Sequence, residues 1–178
     1  MEDTRLKALT DVTLVGAAVD LVLGILKIFL GVVENSQALV ADGIHSISDL
    51  VTDGMVLVAV RQGNKIADED HPYGHARIET ITTVLLALAL LLVSIGIVNN
   101  AVNILSEPGQ EVTPGWVALL VVMLSGLSKE YIYHYTMKVA KLHQSPILEA
   151  NAWHSRTDAI SSVMVFVGIA GVMKSHRF

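Results

Sequence analysis

Five long apolar segments constrain this chain more than any other feature. They lie near residues 13–33, 37–60, 80–105, 114–135 and 147–173, with polar connections between them. As a helix rising about 1.5 Å per residue, each is long enough to cross a hydrocarbon core about 30 Å thick. Lipid offers no hydrogen-bond partners, so a spanning segment must satisfy its backbone groups internally, which an α-helix does. The sequence therefore predicts an all-α integral membrane protein, a helical bundle with five transmembrane helices, in which residues 1–178 form one transmembrane domain.

The composition excludes several classes of protein. Charged residues make up 16% of the chain, against about 25% in soluble globular domains. No basic patch with interleaved aromatic residues occurs, so nucleic acid is not an expected partner. The chain has no cysteine, which excludes thiolate metal ligands and disulfides.

Basic residues mark alternate connections and so indicate the topology. The positive-inside rule places such connections in the cytoplasm, which predicts a multi-pass protein of the inner (plasma) membrane with a cytoplasmic N-terminus. Five spans then leave a basic C-terminal tail outside, which suggests a chain cut before a further helix. The basic connections hold Arg5 and Lys7, then Arg61, Lys65 and Arg77, then Lys138 and Lys141, whereas the others hold Glu34, Glu107 and Glu111.

Two histidine–aspartate pairs with the same spacing lie inside the apolar segments. His45 and Asp49 are in the second segment, and His154 and Asp158 are in the fifth. Residues at i and i+4 share one face of a helix, one turn apart. If the two helices face each other, two nitrogens and two oxygens converge, which suits zinc or a similar divalent ion. The alternative is two unrelated helices whose buried polar residues pair with neighbours.

A bound cation or protons would offset the cost of these carboxylates, which is about 2.5–3.5 kcal/mol for each charge near the bilayer centre.

Other ionisable residues accompany the pairs. Asp20 is expected to face the bundle interior, and Lys27 either reaches the membrane surface or forms a structural ion pair. Asp42 and Asp53 are candidates to line a cavity.

Three motifs resemble the signatures of the cation diffusion facilitators, which export divalent metal ions in exchange for protons. They are SQALVADGIHSISD at residues 36–49, DHPYGH at 70–75 and ANAWHSRTD at 150–158. The resemblance implies six transmembrane helices, a homodimer and a C-terminal cytoplasmic domain. This chain ends where the sixth helix would begin, so it is expected to lack that helix and the cytoplasmic domain.

The resemblance also assigns the ligands. It implies that His45, Asp49, His154 and Asp158 form the transport site, and that the cytoplasmic loop 61–79 carries a second metal site. Asp68, His71 and His75 are the candidate ligands there, with Asp70 able to replace Asp68, and the alternative is a solvated loop with incidental histidines. The imidazole and carboxylate set favours Zn²⁺, while Fe²⁺, Mn²⁺, Cd²⁺ and Co²⁺ remain open.

These observations predict a secondary active transporter rather than an enzyme. Metal binding needs neutral imidazole and ionised carboxylate, so it releases protons, and cation/proton antiport by alternating access around the site follows. An intramembrane metallohydrolase would need a motif such as His-Glu-x-x-His, which does not occur. A channel needs weaker binding than four ligands give. A metal-binding membrane scaffold without transport stays as the alternative from another class.

Overall fold

The computed structural model describes residues 2–34, 36–63, 76–106 and 116–175. Within these ranges the chain forms five α-helices and no strand, which confirms the all-α fold. The helices are α1 (Glu2–Val33), α2 (Gln37–Gly63), α3 (Ala76–Ser106), α4 (Trp116–His143) and α5 (Pro146–Ser175).

Three of the described helices are long and apolar enough to cross a membrane, over Thr4–Val33, Leu39–Gly63 and Trp116–His143. A shorter apolar stretch, Thr80–Gly96, lies in α3. Large hydrophobic side chains cover the outside of α1, where Val22, Phe29 and Val32 are each more than 60% exposed. Such a surface is expected of a helix in an integral membrane protein.

The helices associate mainly as two pairs. α1 packs along α2 and α4 packs along α5, while α1 also contacts α4, and α3 contacts α2 and α5. Direct contact between α2 and α5 is present but less extensive. The two predicted ligand pairs therefore belong to different helix pairs.

Glycines allow α1 and α2 to approach closely. A Cβ on Gly43 would lie 2.7 Å from Ile28 Cγ1 and 2.8 Å from the Ile28 backbone nitrogen. On Gly31 it would lie 2.7 Å from the Val40 backbone nitrogen. Small residues at a membrane-helix interface permit this packing, and it fixes the register of α2 against α1.

A short turn sets the relation between α4 and α5. Gln144 adopts a left-handed backbone conformation, with φ of 49°, as is common at the residue that ends a helix. Ser145 precedes α5, and its carbonyl accepts a hydrogen bond from Glu149 N at 3.1 Å. Pro146 is the first residue of α5, a position at which proline is favourable. The turn therefore fixes the rotation of α5 and the direction of its ligand face.

Two apolar clusters lie at opposite ends of the bundle. The first cluster joins the early part of α1, the end of α2, the end of α4 and the start of α5, and the second joins the other ends of α2 and α4. Because the helices alternate in direction, the midpoints of α1, α2, α4 and α5 lie between the clusters. The first cluster contains Leu9, Val12, Val56, Ala59, Val60, Leu86, Ala140, Ile147 and Leu148, and the second contains Leu39, Ala118, Val121 and Val122.

Candidate metal centre

The four predicted ligands of the transport site meet between the two clusters. His154 Nε2 on α5 lies 3.2 Å from Asp49 Oδ1 on α2, and His45 Nε2 on α2 lies 3.5 Å from Asp158 Oδ1 on α5. Each imidazole thus contacts the carboxylate of the opposite helix. The alternative of two unrelated helices, each satisfied by other neighbours, does not describe this arrangement.

The remaining distances within the group are also short. His45 Nδ1 lies 3.9 Å from Asp49 Oδ1, and His154 Nε2 lies 3.7 Å from Asp158 Oδ2. One ligand atom from each of His45, Asp49 and Asp158 lies within 4.8 Å of the other two. A tetrahedral zinc with N and O ligands at about 2.0–2.2 Å separates its ligand atoms by about 3.3–3.6 Å. The cross-helix distances of 3.2 and 3.5 Å are close to this spacing.

A lysine that the sequence analysis did not assign lies at the centre of this site. Lys129 of α4 is 3% exposed, and its Nζ donates to Asp20 Oδ1 at 2.6 Å, Asp49 Oδ2 at 3.0 Å and Asp158 Oδ2 at 3.2 Å. Asp20 faces the bundle interior as expected and reaches the site through this lysine. With neutral imidazoles, three carboxylates and one ammonium give a formal charge of −3 + 1 = −2.

Lys27 forms a buried ion pair and does not reach the membrane surface. Its Nζ lies 2.8 Å from Asp42 Oδ2 and donates to Ser46 Oγ at 3.1 Å, and the lysine is 2% exposed. This pair joins α1 to α2 close to the glycine contacts. Of the two readings of Lys27, the structure supports the structural ion pair.

A small cavity adjoins the site on the side of the second cluster. It has about 20 Å³ of free space, which is room for about one water molecule. A hydrated divalent ion therefore does not fit without movement. Asp42 lines the cavity as expected, whereas Asp53 does not; the lining consists of Lys27, Asp42, His45, Ser46, Asp49, Ser125, Lys129, Asp158, Ser161 and Ser162.

A polar contact closes the other side of the site, toward the first cluster. Asn151 Nδ2 on α5 donates to Asp53 Oδ1 on α2 at 3.0 Å, and both residues are buried. The second oxygen of Asp53 has no hydrogen-bond partner among the described residues. Asp53 follows Asp49 by one helical turn, so this contact lies directly between the candidate ligands and the first cluster.

Arg156 and Trp153 lie away from the four ligands. The Arg156 guanidinium donates to the Tyr133 hydroxyl at 3.0 Å and lies 4.6 Å from the centre of the Tyr133 ring. It also lies 5.4 Å from the centre of the Trp153 ring. Trp153 is half exposed. Because Arg156 on α5 contacts Tyr133 on α4 and the ring of Trp153, these side chains belong to the contact between α4 and α5 rather than to the site.

The predicted second site cannot be placed in the same way, because Asp68, Asp70, His71 and His75 lie outside the residues that the structure describes. It stays a prediction.

Helical phase could have identified Lys129 from the sequence. Buried residues of α4 recur at helical spacing, at Val122, Ser125, Lys129, Ile132 and Thr136. Lys129 is the charged member of that stripe, and a lysine on a buried face needs an anionic partner. The sequence did not reveal which carboxylates would supply it, because they come from three other helices.

Comparison with known proteins is consistent with this geometry. Residues 13–176 match the model of the cation efflux transmembrane domain. An uncharacterized transporter of Methanocaldococcus jannaschii is 37% identical over 150 residues, which cover 84% of this chain and 53% of that protein. The manganese efflux system protein MneP of Bacillus subtilis is 34% identical over 169 residues, covering 95% of this chain and 56% of that protein. The magnetosome protein MamM of Magnetospirillum gryphiswaldense is 32% identical over 157 residues, covering 88% and 49%. The chain thus spans about half the length of these relatives.

Proposed function

Since this chain belongs to the cation efflux, or cation diffusion facilitator, family, we propose that it forms the membrane part of a divalent metal cation exporter. In this proposal His45, Asp49, His154 and Asp158 bind the transported ion. The observation that carries the proposal is the convergence of these side chains from α2 and α5, with cross-helix distances of 3.2 and 3.5 Å. Buried carboxylates at the middle of a bundle are costly unless cations neutralise them, which a transported ion does.

The proposed cargo is Zn²⁺. Two imidazole nitrogens and two carboxylate oxygens in a compact group suit its tetrahedral coordination. Mn²⁺ is a second candidate, because carboxylates also suit manganese and two of the similar proteins, both from Bacillus subtilis, are named as manganese efflux systems. Measured affinities for both ions would distinguish them.

Exchange for protons follows from the ligand chemistry. The ion binds neutral imidazoles and ionised carboxylates, so binding releases protons and proton uptake favours release of the ion. Histidine is suited to this exchange because its ordinary pKa lies near physiological pH. The antiport direction is inward for protons and outward for metal.

The packing of the helices supports a route for alternating access. His45 and Asp49 belong to the α1–α2 pair, whereas His154 and Asp158 belong to the α4–α5 pair. Rocking of one pair against the other would separate the two halves of the site at one end of the bundle at a time. Basic residues at the first-cluster end, including Arg5, Arg61 and Lys141, favour a cytoplasmic position for that end, and the cavity then lies on the outer side.

Metal uptake into proteoliposomes tests the proposal. Zn²⁺ uptake should increase when a pH gradient is imposed, and the Asp49→Ala and His154→Ala variants should lose it. Zn²⁺ uptake at the same rate with and without the pH gradient would indicate a channel. Zn²⁺ binding without uptake in any gradient would indicate a scaffold, and the same measurement with Mn²⁺ tests the second cargo.

The family resemblance also implies a homodimer, which is part of this proposal. Light scattering of the purified protein, corrected for detergent, should give twice the mass of one chain. A mass of one chain at all concentrations would refute the proposed dimer and would not bear on the proposed metal site.

A further inference from the structure

We propose that the Lys129 ammonium is a tethered cation that competes with the transported ion for Asp49 and Asp158, and that Asp20 retains it when the ion binds. This inference rests on the proposed function, because it assumes that the four side chains hold the ion. It adds a residue that sets affinity and release without touching the ion.

The two carboxylates divide their oxygens between the histidines and the lysine. Asp49 directs Oδ1 toward His154 and Oδ2 toward Lys129. Asp158 directs Oδ1 toward His45 and Oδ2 toward Lys129. Two of the four candidate ligands are therefore already paired with a positive charge when no ion is bound.

An ion and the ammonium cannot both make these contacts at low cost. An ion bound to Oδ1 of both carboxylates, at about 2.0–2.2 Å, would lie close to an ammonium that holds Oδ2 of the same carboxylates, and like charges in a buried site repel strongly. The ammonium must then move away from Asp49 and Asp158. A lysine can do so because its charge is compact and its stem is flexible.

Asp20 provides the place to which the ammonium withdraws. It makes the shortest of the three contacts, 2.6 Å to Nζ, and it lies on α1. Asp20 is outside the set of four ligands, so this contact survives when the other two are lost. Lys129 is therefore not left as an unpaired buried charge, which would be strongly destabilising.

The charges also match a divalent cargo. Three carboxylates and one ammonium give −3 + 1 = −2, which one divalent ion neutralises. When the ion leaves, the ammonium returns to Asp49 and Asp158 and replaces part of the lost positive charge. The empty site then needs fewer protons than two unpaired carboxylates would require.

Four variants separate competition from simple charge. Zn²⁺ affinity is measured by isothermal titration of the purified wild type, Lys129→Met, Asp20→Asn and the Lys129→Met/Asp20→Asn double variant. The double variant loses one charge of each sign, so it keeps the net charge of −2 but has no tether. If the ammonium occupies the carboxylates for nine-tenths of the time, removing it strengthens apparent affinity about tenfold.

The double variant therefore gives the decisive result. Competition predicts that it binds Zn²⁺ about tenfold more tightly than wild type, that Lys129→Met binds more tightly still, and that Asp20→Asn binds more weakly. An unchanged affinity in the double variant would overturn the proposal, because charge alone would then explain both single variants. Failure of Lys129→Met to bind more tightly would also overturn it.

Controls distinguish this inference from the proposed function and from misfolding. Arg156→Met removes another cation, one that contacts Tyr133 and Trp153 instead of the ligands, and should change affinity by no more than about twofold. Weaker Zn²⁺ binding in His154→Ala together with wild-type affinity in the double variant would refute the tether alone. Binding unaffected by His154→Ala would refute the proposed function. Size-exclusion profiles identify misfolded variants, and the double variant, whose site charge of −2 equals that of the wild type, is expected to fold where Lys129→Met, at −3, does not.

Discussion

At the scale of single residues, the buried polar groups occur in layers between the two apolar clusters. Lys27 and Asp42 form one layer, the four candidate ligands with Lys129 form the next, and Asp53 with Asn151 forms the third. Only the central layer combines imidazole with carboxylate. The outer two layers therefore hold helices together, whereas the central one has the residue types that the proposed metal site needs.

The affinity for the ion should decrease as the pH decreases, because protons bind the histidines. Zn²⁺ requires His45 and His154 as neutral imidazoles, so protons compete with the ion as the pH falls. We expect the apparent dissociation constant to rise by up to about a hundredfold for each pH unit of acidification, because up to two protons are taken up for each ion released. Titrations at pH 7.5, 6.5 and 5.5 measure this slope, and a slope that is the same in His154→Asn would contradict it.

The Asp53–Asn151 contact should contribute to stability rather than to metal binding. Asn151→Leu removes the donor to a buried carboxylate, which costs about 1–3 kcal/mol. Replacing both residues by leucine removes the need for the contact, so the double variant should be more stable than Asn151→Leu. Thermal unfolding of the purified proteins measures which variant is more stable. Equal destabilisation in Asn151→Leu and in the double variant would contradict the predicted coupling.

At the scale of helices, the two close pairs α1–α2 and α4–α5 explain how ligands on different helices are held in register. The glycine contacts fix α2 on α1, and the turn at Gln144 and Ser145 fixes α5 on α4. In the proposed rocking motion, each ligand pair would move with its own helix pair. The site would then open by movement between pairs without distortion within them.

Gly43 is the position at which this packing is most sensitive. Gly43→Ala places a Cβ 2.8 Å from the Ile28 backbone nitrogen and 2.9 Å from the Gly24 carbonyl oxygen. Backbone atoms cannot withdraw as a side chain can, so α1 and α2 must separate, at a cost of about 1–3 kcal/mol or more.

Gly54 on the same helix offers a matched control, because a Cβ there meets no atom within 4 Å. Gly54→Ala should leave stability unchanged or raise it by up to about 1 kcal/mol, the helix-propensity difference. Thermal unfolding compares the two variants. Comparable destabilisation in both would contradict the account of the α1–α2 contact.

At the scale of the whole molecule, much of the architecture could be predicted from the sequence. The apolar segments indicate the helices, and the spacing of His45 and Asp49 and of His154 and Asp158 indicates which faces carry ligands. Hydropathy does not mark helix ends, however. α1 begins at Glu2 rather than near Thr13, because its polar first turns are helical and bury Leu9 in the first cluster.

The parts that could not be predicted depend on contacts between distant helices. The partners of Lys129 lie on α1, α2 and α5, and the partner of Asn151 lies on α2. Spacing along one helix gives the face on which a residue lies but not the neighbour that this face meets. Helical phase could place Lys129 on the buried face of α4, but its partners, and therefore its position at the centre of the site, could not be predicted from spacing.

The central claim is that two imidazoles and two carboxylates from α2 and α5 enclose one ion. Zinc X-ray absorption spectroscopy measures this coordination directly, on protein in which His71→Ala and His75→Ala remove the candidate loop ligands. We predict four N and O ligands at about 2.0–2.2 Å, two of them with the scattering of imidazole, and one imidazole in His154→Ala. A shell of oxygen ligands alone, or one unchanged in His154→Ala, would contradict it.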